Sequence, residues 1–182
     1  MKKILVLICL IWISVAKAQS VKVFFTPSMD CENQIISYIN DAKETIDVAV
    51  YAINNDAIVD SLIRAYERGV KIRILTDRVQ AGQKSSKVPV LEEIGIPLRR
   101  HRRYRIQHDK FAVFDGKRAV TGSYNWTNSA TRKNAENCVF FVRRNKTVGE
   151  YQSRFNALWR LNAKKDENAV QETQDKLNLL DS

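Results

Sequence analysis

The chain has 182 residues, with 30 lysines and arginines against 20 aspartates and glutamates, and a formal net charge of +10. This length suits one domain with a substantial core and is too short for two comfortable ones. The basic excess favours a polyanionic partner, nucleic acid or anionic lipid, although exported proteins that bind neither also carry such charge.

Residues 1–18 have the pattern of a secretory signal peptide. Two lysines precede an apolar run over 4–16, and Ala16 and Ala18 are small residues at the positions that a signal peptidase inspects. A retained membrane anchor is the alternative, but this run is short against the about 20 residues needed to cross a bilayer. We predict cleavage after Ala18 and a periplasmic or secreted protein; removal of the three lysines in this segment leaves a net charge of +7.

The next part of the chain alternates strand and helix patterns. Strands are expected over 21–25, 45–53 and 70–75, with two amphipathic helices between them, the second ended by Gly69. Strands joined by helical crossovers favour parallel pairing. The predicted fold class is α/β, a mixed, mostly parallel sheet with helices on both faces, in one domain over 19–163.

The second half adds a polar loop over 77–88 and an amphipathic helix over 146–161, and residues 164–182 form a polar tail that we expect to be flexible. Cys31 and Cys138 are the only cysteines after the predicted signal peptide. Export permits a disulfide between them, and a buried free thiol at Cys138 is the alternative. Neither has a histidine near it in sequence, so they do not predict a zinc site.

Two polar clusters are predicted to lie on the paired strands of a β-hairpin. His108 and Lys110 stand at its start, and Ser123 and Asn125 at its end. The apolar run between them turns at Asp115 and a glycine, which is a hairpin signal. Strand alternation puts the members of each pair on one face. One surface would then present imidazole, ammonium, hydroxyl and amide groups. These suit a phosphodiester: the imidazole as nucleophile or base, the ammonium as a cation for the non-bridging oxygens, and the hydroxyl and amide as neutral donors.

The spacing His-x-Lys, four residues, Asp, six residues and Gly-Ser-x-Asn resembles the signature of the phospholipase D superfamily, in particular its small single-motif bacterial Nuc-type endonucleases. The resemblance implies a phospholipase D-like fold and a covalent phosphohistidine on His108. It also implies that Glu136 orients the histidine; a surface strand residue is the alternative for Glu136. We expect Asp115 and Gly122 to be structural, with Asp115 facing away from His108 and anchoring the turn.

Displacement at phosphorus also needs an acid or base at the leaving group, and the chain offers one well-placed histidine. Longer members of the superfamily carry the motif twice. With one copy and no internal repeat, this chain is expected to form a two-fold homodimer in which two copies of His108 meet. The motif region has no cluster of carboxylates for a catalytic metal, so we expect metal-independent chemistry and no cofactor.

Five arginines in seven residues precede the motif, and a basic pair follows it. The run would draw a phosphate backbone toward His108, with Tyr104 available to stack on a base. The alternative is a solvated loop whose charges only keep the protein soluble, and His101 is expected to be a solvated member of it. The predicted nucleic-acid contacts are Arg99, Arg100, Arg102, Arg103, Tyr104, Arg105, Arg132 and Lys133.

The predicted function is an exported, metal-independent endonuclease acting on DNA, single-stranded DNA or RNA, with little base specificity, because the basic residues are phosphate-type contacts. The alternatives are a phospholipase D-type lipid phosphodiesterase, which would want an apolar membrane-facing loop, and a non-catalytic nucleic-acid-binding module. Trp126 is expected to pack in the core rather than to stack on a base. The predicted catalytic residues are His108, Lys110, Ser123, Asn125 and Glu136.

Overall fold

A computed structural model describes residues 21–143 and 146–163; the predicted signal peptide and the predicted polar tail lie outside the described residues. The strands are β1 (Val21–Phe25), β2 (Thr45–Val50), β3 (Lys71–Asp77), β4 (Leu98–His101), β5 (Phe111–Phe114), β6 (Arg118–Gly122) and β7 (Asn137–Phe141). The helices are α1 (Asp30–Asp41), α2 (Asp56–Glu67), α3 (Arg78–Ala81), α4 (Val88–Glu93), α5 (Asn128–Arg132) and α6 (Lys146–Leu161).

The strands form one mixed sheet in the order β1-β7-β6-β5-β2-β3-β4. The prediction of a mixed sheet is confirmed, but the expectation of mostly parallel pairing is wrong. Among the strands of the described residues, only β2 with β3 and β3 with β4 pair in parallel, and these strands are joined by the crossover segments that carry α2 and α4. The other four pairings are antiparallel. Strands β5 and β6 are joined by a tight turn, which requires antiparallel pairing, and β1 lies at one edge of the sheet, where it pairs with β7 from the other end of the chain.

Helices cover both faces of the sheet, as predicted. Helices α1 and α2 pack on one face over a core that contains Ile35, Leu62 and Phe114, and α6 packs on the other face through Phe155 and its neighbours. Trp126 is 2% exposed and belongs to the first core, which agrees with the packing role expected for it. The residues at the ends of the strands are thus held on a sheet that is packed on both faces.

A disulfide joins Cys31 of α1 to Cys138 of β7, with an S–S distance of 2.02 Å. Both residues are buried. The alternative of a free thiol at Cys138 is therefore wrong. The bridge ties the first helix to the strand that pairs with β6, next to the end of the predicted hairpin.

Candidate active site

The candidate site lies at the end of the sheet where strands β2 and β6 finish and β5 begins. Phe111, the first residue of β5, pairs with β2 on one side and with β6 on the other, and both ladders stop there. The hairpin of β5 and β6 is confirmed, and its register brings the segments 108–110 and 123–125 to the same end of the sheet. These segments lie just before and just after the paired strands, whereas the sequence predicted them on the strands.

The first cluster contains His108 and Lys110. His108 is exposed, and the Lys110 Nζ donates to the backbone oxygen of His108 at 2.7 Å. The preceding residue, Gln107, is buried, and its N–H donates to the carboxylate of Asp77 at 3.1 Å, which anchors the segment to the end of β3. Burial lowers the pKa of Lys110, opposed by the nearby carboxylates of Glu136 and Asp109. A partly desolvated ammonium beside an exposed imidazole interacts more strongly with a phosphate oxygen than a fully hydrated one.

Ser123 is held by Asn137, the first residue of β7. The N–H of Asn137 donates to the Ser123 Oγ at 3.0 Å, and the N–H of Ser123 donates to the Asn137 Oδ1 at 2.9 Å. Among the described residues the Ser123 hydroxyl accepts this hydrogen bond and donates none, so its hydrogen is available for a phosphate oxygen. Sequence reasoning missed Asn137, for which the only signal was its place directly after Glu136.

Gly122 lets β6 pass close to β7 just before Ser123. Its φ is +148°, and a Cβ built there would lie 2.2 Å from the carbonyl oxygen of Asn137. No side chain fits at that distance, so the glycine of the motif is a structural requirement here, as expected from its place in the motif.

Asn125 lies between β6 and α5 and is half-buried. Its backbone oxygen accepts from the N–H of Thr127 at 2.8 Å, and the backbone oxygen of the adjacent Trp126 accepts from the N–H groups of Asn54 and Asn55. The Asn125 Oδ1 is buried with no hydrogen-bond partner among the described residues. Buried polar atoms without partners are uncommon in folded proteins, and a catalytic or binding role is one of the explanations for them.

A buried polar network includes Tyr124, which lies between the two residues of the second cluster, Ser123 and Asn125. The Thr131 Oγ1 donates to the carboxylate of Glu32 at 2.9 Å, so the Tyr124 hydroxyl, 2.6 Å from Thr131, is the donor in that contact. Asn55 also donates to Glu32, at 2.6 Å. Burial raises the pKa of Tyr124 to about 12, which keeps its phenol protonated. Sequence reasoning missed Glu32, although an acidic residue three positions before Ile35 on the apolar stripe of α1 was a usable signal.

Glu136 precedes β7 and is half-buried. Its Oε1 accepts from the Asn134 side chain at 3.0 Å, and within the described ranges no hydrogen bond joins it to His108. Its charge acts on Lys110, whose pKa it raises against the larger effect of burial. Glu136 therefore influences Lys110 through its charge, and its role in orienting the histidine stays a prediction.

Asp115 anchors the turn at the opposite end of the hairpin, as predicted. Its backbone has a φ of 53°, and its carboxylate accepts from the N–H groups of Lys43, Glu44 and Thr45 at 3.1, 2.8 and 2.9 Å. Burial acts to raise the pKa of Asp115, but these hydrogen bonds and a nearby lysine lower it overall. Asp115 belongs to the motif without belonging to the site.

Three arginines of the basic run are engaged by the protein itself. The Arg99 guanidinium lies 4.1 Å from the centroid of the Trp159 ring and donates to the backbone oxygen of the same residue. Arg103 donates from Nε to the backbone oxygen of the last residue of α6 at 3.1 Å, and Arg100 pairs with Glu92 at 2.6 Å. Cations at the carboxyl end of a helix interact favourably with the negative end of the helix dipole, so Arg99 and Arg103 help to dock α6.

His101 is 2% exposed, so the prediction that it is a solvated member of the run is wrong. Its Nε2 accepts from the N–H of Tyr104 at 2.7 Å, and its Nδ1 lies 2.9 Å from the side-chain nitrogen of Asn162, just beyond α6. Burial lowers its pKa, opposed by the charge of Asp77. The residue is buried because the end of α6 and the arginine loop close over it.

The remaining predicted contacts are exposed. Tyr104 is 52% exposed, with its ring 5.0 Å from that of His101. The other four make no side-chain hydrogen bond or ion pair within residues 21–143 and 146–163; we call them the free cations. They are Arg102, Arg105, Arg132 and Lys133.

In the described part of the chain, no helix is both long enough and apolar enough to cross a bilayer. Across the same residues, no group of three or more histidine, cysteine, aspartate and glutamate side chains is arranged to hold a metal ion.

Residues 35–159 match the family described as cardiolipin synthase, PLD-like domain. The chain belongs to this phospholipase D-like family. Nuc from Salmonella typhimurium, a phospholipase D family member, superimposes with a TM-score of 0.73 at 30% identity, over 77% of this chain and 93% of that one. NucT from Helicobacter pylori shares the fold, with a TM-score of 0.69 at 23% identity over 77% and 95% of the two chains. The resemblance and the fold predicted from the motif are thereby confirmed.

Sequence relatives carry lipid-related names. A phospholipase D from Rickettsia prowazekii is 38% identical over 127 residues, which is 70% of this chain and 62% of the relative. A mitochondrial cardiolipin hydrolase from Chlamydomonas reinhardtii is 33% identical over 127 residues, 70% of this chain and 56% of the relative. The chain thus spans less than two thirds of the length of these curated relatives.

Proposed function

We propose that this protein is an exported phosphodiesterase that cleaves nucleic acid through a covalent phosphohistidine on His108. Its main support is that three groups lie at the same end of the sheet. These are an exposed imidazole, the partly desolvated ammonium of Lys110, and the Ser123 hydroxyl, whose hydrogen is free to donate. Together they supply a nucleophile and charge stabilisation for a phosphodiester.

The reaction has two displacements at phosphorus. In the first, a ring nitrogen of His108 forms a bond to phosphorus while the bond to the leaving oxygen breaks. In the second, water attacks phosphorus, the nitrogen–phosphorus bond breaks, and the imidazole is regenerated. Lys110, Ser123 and Asn125 bind the non-bridging oxygens, on which negative charge builds up in both transition states.

The leaving oxygen must gain a proton in the first step, and the attacking water must lose one in the second. The chain has one other histidine, His101, and it is buried with both ring nitrogens in contact with neighbouring groups. Exclusion of His101 supports the predicted homodimer, in which His108 of the partner subunit is the acid in the first step and the base in the second. Glu136 would then act on this site through Lys110 and, as the family resemblance implies, through the histidine.

Nucleic acid is the favoured substrate because of the free cations. Arg102 and Arg105 precede the first cluster along the chain, and Arg132 and Lys133 follow the second. Exposed cations without protein partners are the groups that a phosphate backbone neutralises, and such contacts carry little sequence information. Export through the predicted signal peptide is compatible with the buried disulfide, since an oxidising compartment preserves such bonds.

A lipid phosphodiesterase is the second candidate, favoured by the names of the relatives from Rickettsia prowazekii and Chlamydomonas reinhardtii. The chemistry at phosphorus would be the same, and only the group bound beside the site would differ. The candidate therefore calls for direct comparison of substrates.

The test is incubation of the purified protein, in excess EDTA, with plasmid, single-stranded DNA, RNA, and vesicles of phosphatidylcholine or cardiolipin. We expect cleavage of nucleic acid in the presence of the chelator. Hydrolysis of lipid alone would favour the second candidate, and binding without cleavage would favour a non-catalytic module. Loss of cleavage in EDTA with recovery on adding a divalent metal would rule out the mechanism.

A further inference from the structure

Tyr51 contacts both members of the first cluster, although it lies outside the motif. It directly follows β2 and is half-buried. Its ring centroid lies 4.8 Å from that of the His108 imidazole, with the planes at 63° in an edge-to-face arrangement. The Lys110 Nζ lies 5.2 Å from the same centroid. One aromatic ring therefore touches the proposed nucleophile and the proposed phosphate-binding cation.

The backbone of Tyr51 is tied to the interior of the sheet. The backbone oxygen of Tyr51 accepts a hydrogen bond from the Thr76 Oγ1 at 3.2 Å, and Thr76 is fully buried in β3. The preceding residue, Val50, is the register partner of Thr76. Tyr51 thus starts from a strand held by neighbours on both sides, whereas His108 and Lys110 lie on a segment that precedes strand pairing.

We propose that the Tyr51 ring positions His108 and Lys110 for reaction at phosphorus, an inference that rests on the proposed function. Edge-to-face aromatic contact restricts the rotation of the imidazole, and the attraction of the ammonium to the ring face restricts a long, flexible side chain. The hydroxyl is not needed, since among the described residues it makes no hydrogen bond. Tyr51 acts through the two motif residues and is a positioning residue.

Nuclear magnetic resonance tests the contact in solution without any assay of activity. The chain has two histidines, so comparison with His108→Ala assigns both imidazoles. We expect cross-relaxation between the Tyr51 and His108 ring protons in the wild-type protein. Tyr51→Leu should shift the His108 ring resonances and leave those of His101 unchanged. Absence of the cross-relaxation, or an unchanged His108 spectrum in Tyr51→Leu, would overturn the proposal.

Kinetics test the consequence, with bis-p-nitrophenyl phosphate as a small phosphodiester that has no base to stack. Tyr51→Phe should keep kcat within about threefold of the wild-type value, because the ring remains. Tyr51→Leu should lower kcat about 10- to 100-fold and change KM less than about threefold, as expected for misplaced reacting groups. Tyr66→Leu, a half-buried tyrosine of α2 that contacts Gly95, serves as the control for general destabilisation and should keep kcat.

An unchanged kcat in Tyr51→Leu, or a loss expressed in KM alone, would contradict a positioning role. Failure of the proposed function is distinguishable from this result. If the wild-type protein hydrolyses neither this ester nor any nucleic acid or lipid, the proposed function fails, and the resonance experiment alone decides whether the ring holds the histidine.

Discussion

The carbonyl oxygen of Asn137 lies where a Cβ at Gly122 would have to be, with a separation of 2.2 Å. Gly122→Ala should therefore force β6 away from β7 and disturb the paired hydrogen bonds between Ser123 and Asn137. Since the φ of +148° is also unfavourable for alanine, we expect a loss of about 1–3 kcal/mol in the free energy of unfolding. Urea denaturation measures this loss, and kcat should fall with it.

Gly149→Ala is the matched control for that variant. Gly149 is an exposed residue of α6, and nothing lies within 4 Å of a Cβ built on it. Replacing a helical glycine by alanine should raise the free energy of unfolding by about 0.5–1 kcal/mol. Equal stability of the two variants would contradict the close approach of β6 and β7.

Asp115 should make the stability of the protein depend on acid pH. Its pKa is lowered in the folded state, so the charged form favours folding. The contribution is fully present above the unfolded pKa of about 3.9 and is lost as the pH falls through the lower folded value. Asp115→Asn, which tolerates the left-handed backbone, should lower the free energy of unfolding by about 1.5–3 kcal/mol at pH 7. Denaturation at several pH values should show this difference shrinking in acid.

Asp41→Asn is the control for the Asp115 variant. The Asp41 side chain is 60% exposed and pairs with Arg118 at the surface, at 3.0 Å. An exposed ion pair of this kind contributes less than about 1 kcal/mol. If Asp115→Asn changed stability no more than Asp41→Asn does, the three backbone hydrogen bonds to Asp115 would carry no stabilisation.

The disulfide should contribute strongly to stability because it joins residues 107 positions apart. Replacing both Cys31 and Cys138 by alanine should lower the free energy of unfolding by about 2–5 kcal/mol. Urea denaturation with and without dithiothreitol provides the measurement. Reductant should bring the wild-type transition toward that of the double variant and leave the double variant unchanged. Coincident transitions of the two proteins without reductant would indicate that the cysteines are not bonded.

The free cations should set the salt dependence of nucleic-acid binding. Each phosphate contact that is lost reduces the slope of log K against log salt by about 0.9 for double-stranded DNA. The variant Arg102→Ala with Arg105→Ala should therefore reduce the slope by about 2, measured by fluorescence anisotropy between 50 and 200 mM salt. Affinity should fall to a similar extent for unrelated sequences.

Lys43→Ala with Lys71→Ala removes the same charge from the opposite end of the sheet, where strands β2 and β3 begin and both lysines are exposed. This control should leave the slope nearly unchanged. A similar fall in both double variants would mean that net charge, and not the position of Arg102 and Arg105, governs binding.

Much of the candidate site could be predicted from the local spacing of residues in the sequence. His108, Lys110, Ser123 and Asn125 were recognisable because a hairpin fixes their separation, and Asp115 could be assigned to the turn because strand alternation turned it away from His108. The confirmed hairpin follows from the same local rule, that a short polar turn between apolar runs joins antiparallel strands.

Long-range packing could not be read in the same way. His101 is buried because Asn162, 61 positions later, reaches it. Tyr51 reaches His108 because β2 and β5 are neighbours, a pairing that alternation of strands and helices did not predict. The same limitation explains the wrong expectation of a mostly parallel sheet, since the partner of β1 lies at the other end of the chain.

The proposed mechanism requires that His108 forms a bond to phosphorus during turnover. Rapid denaturing quench of the reaction with a labelled oligonucleotide, followed by peptide mass spectrometry, tests it directly in excess EDTA. We predict an acid-labile, base-stable adduct on His108 in the wild-type protein, and neither adduct nor cleavage in His108→Ala. Sustained cleavage by His108→Ala, or turnover of the wild-type protein with no adduct under conditions that trap an intermediate, would contradict this mechanism.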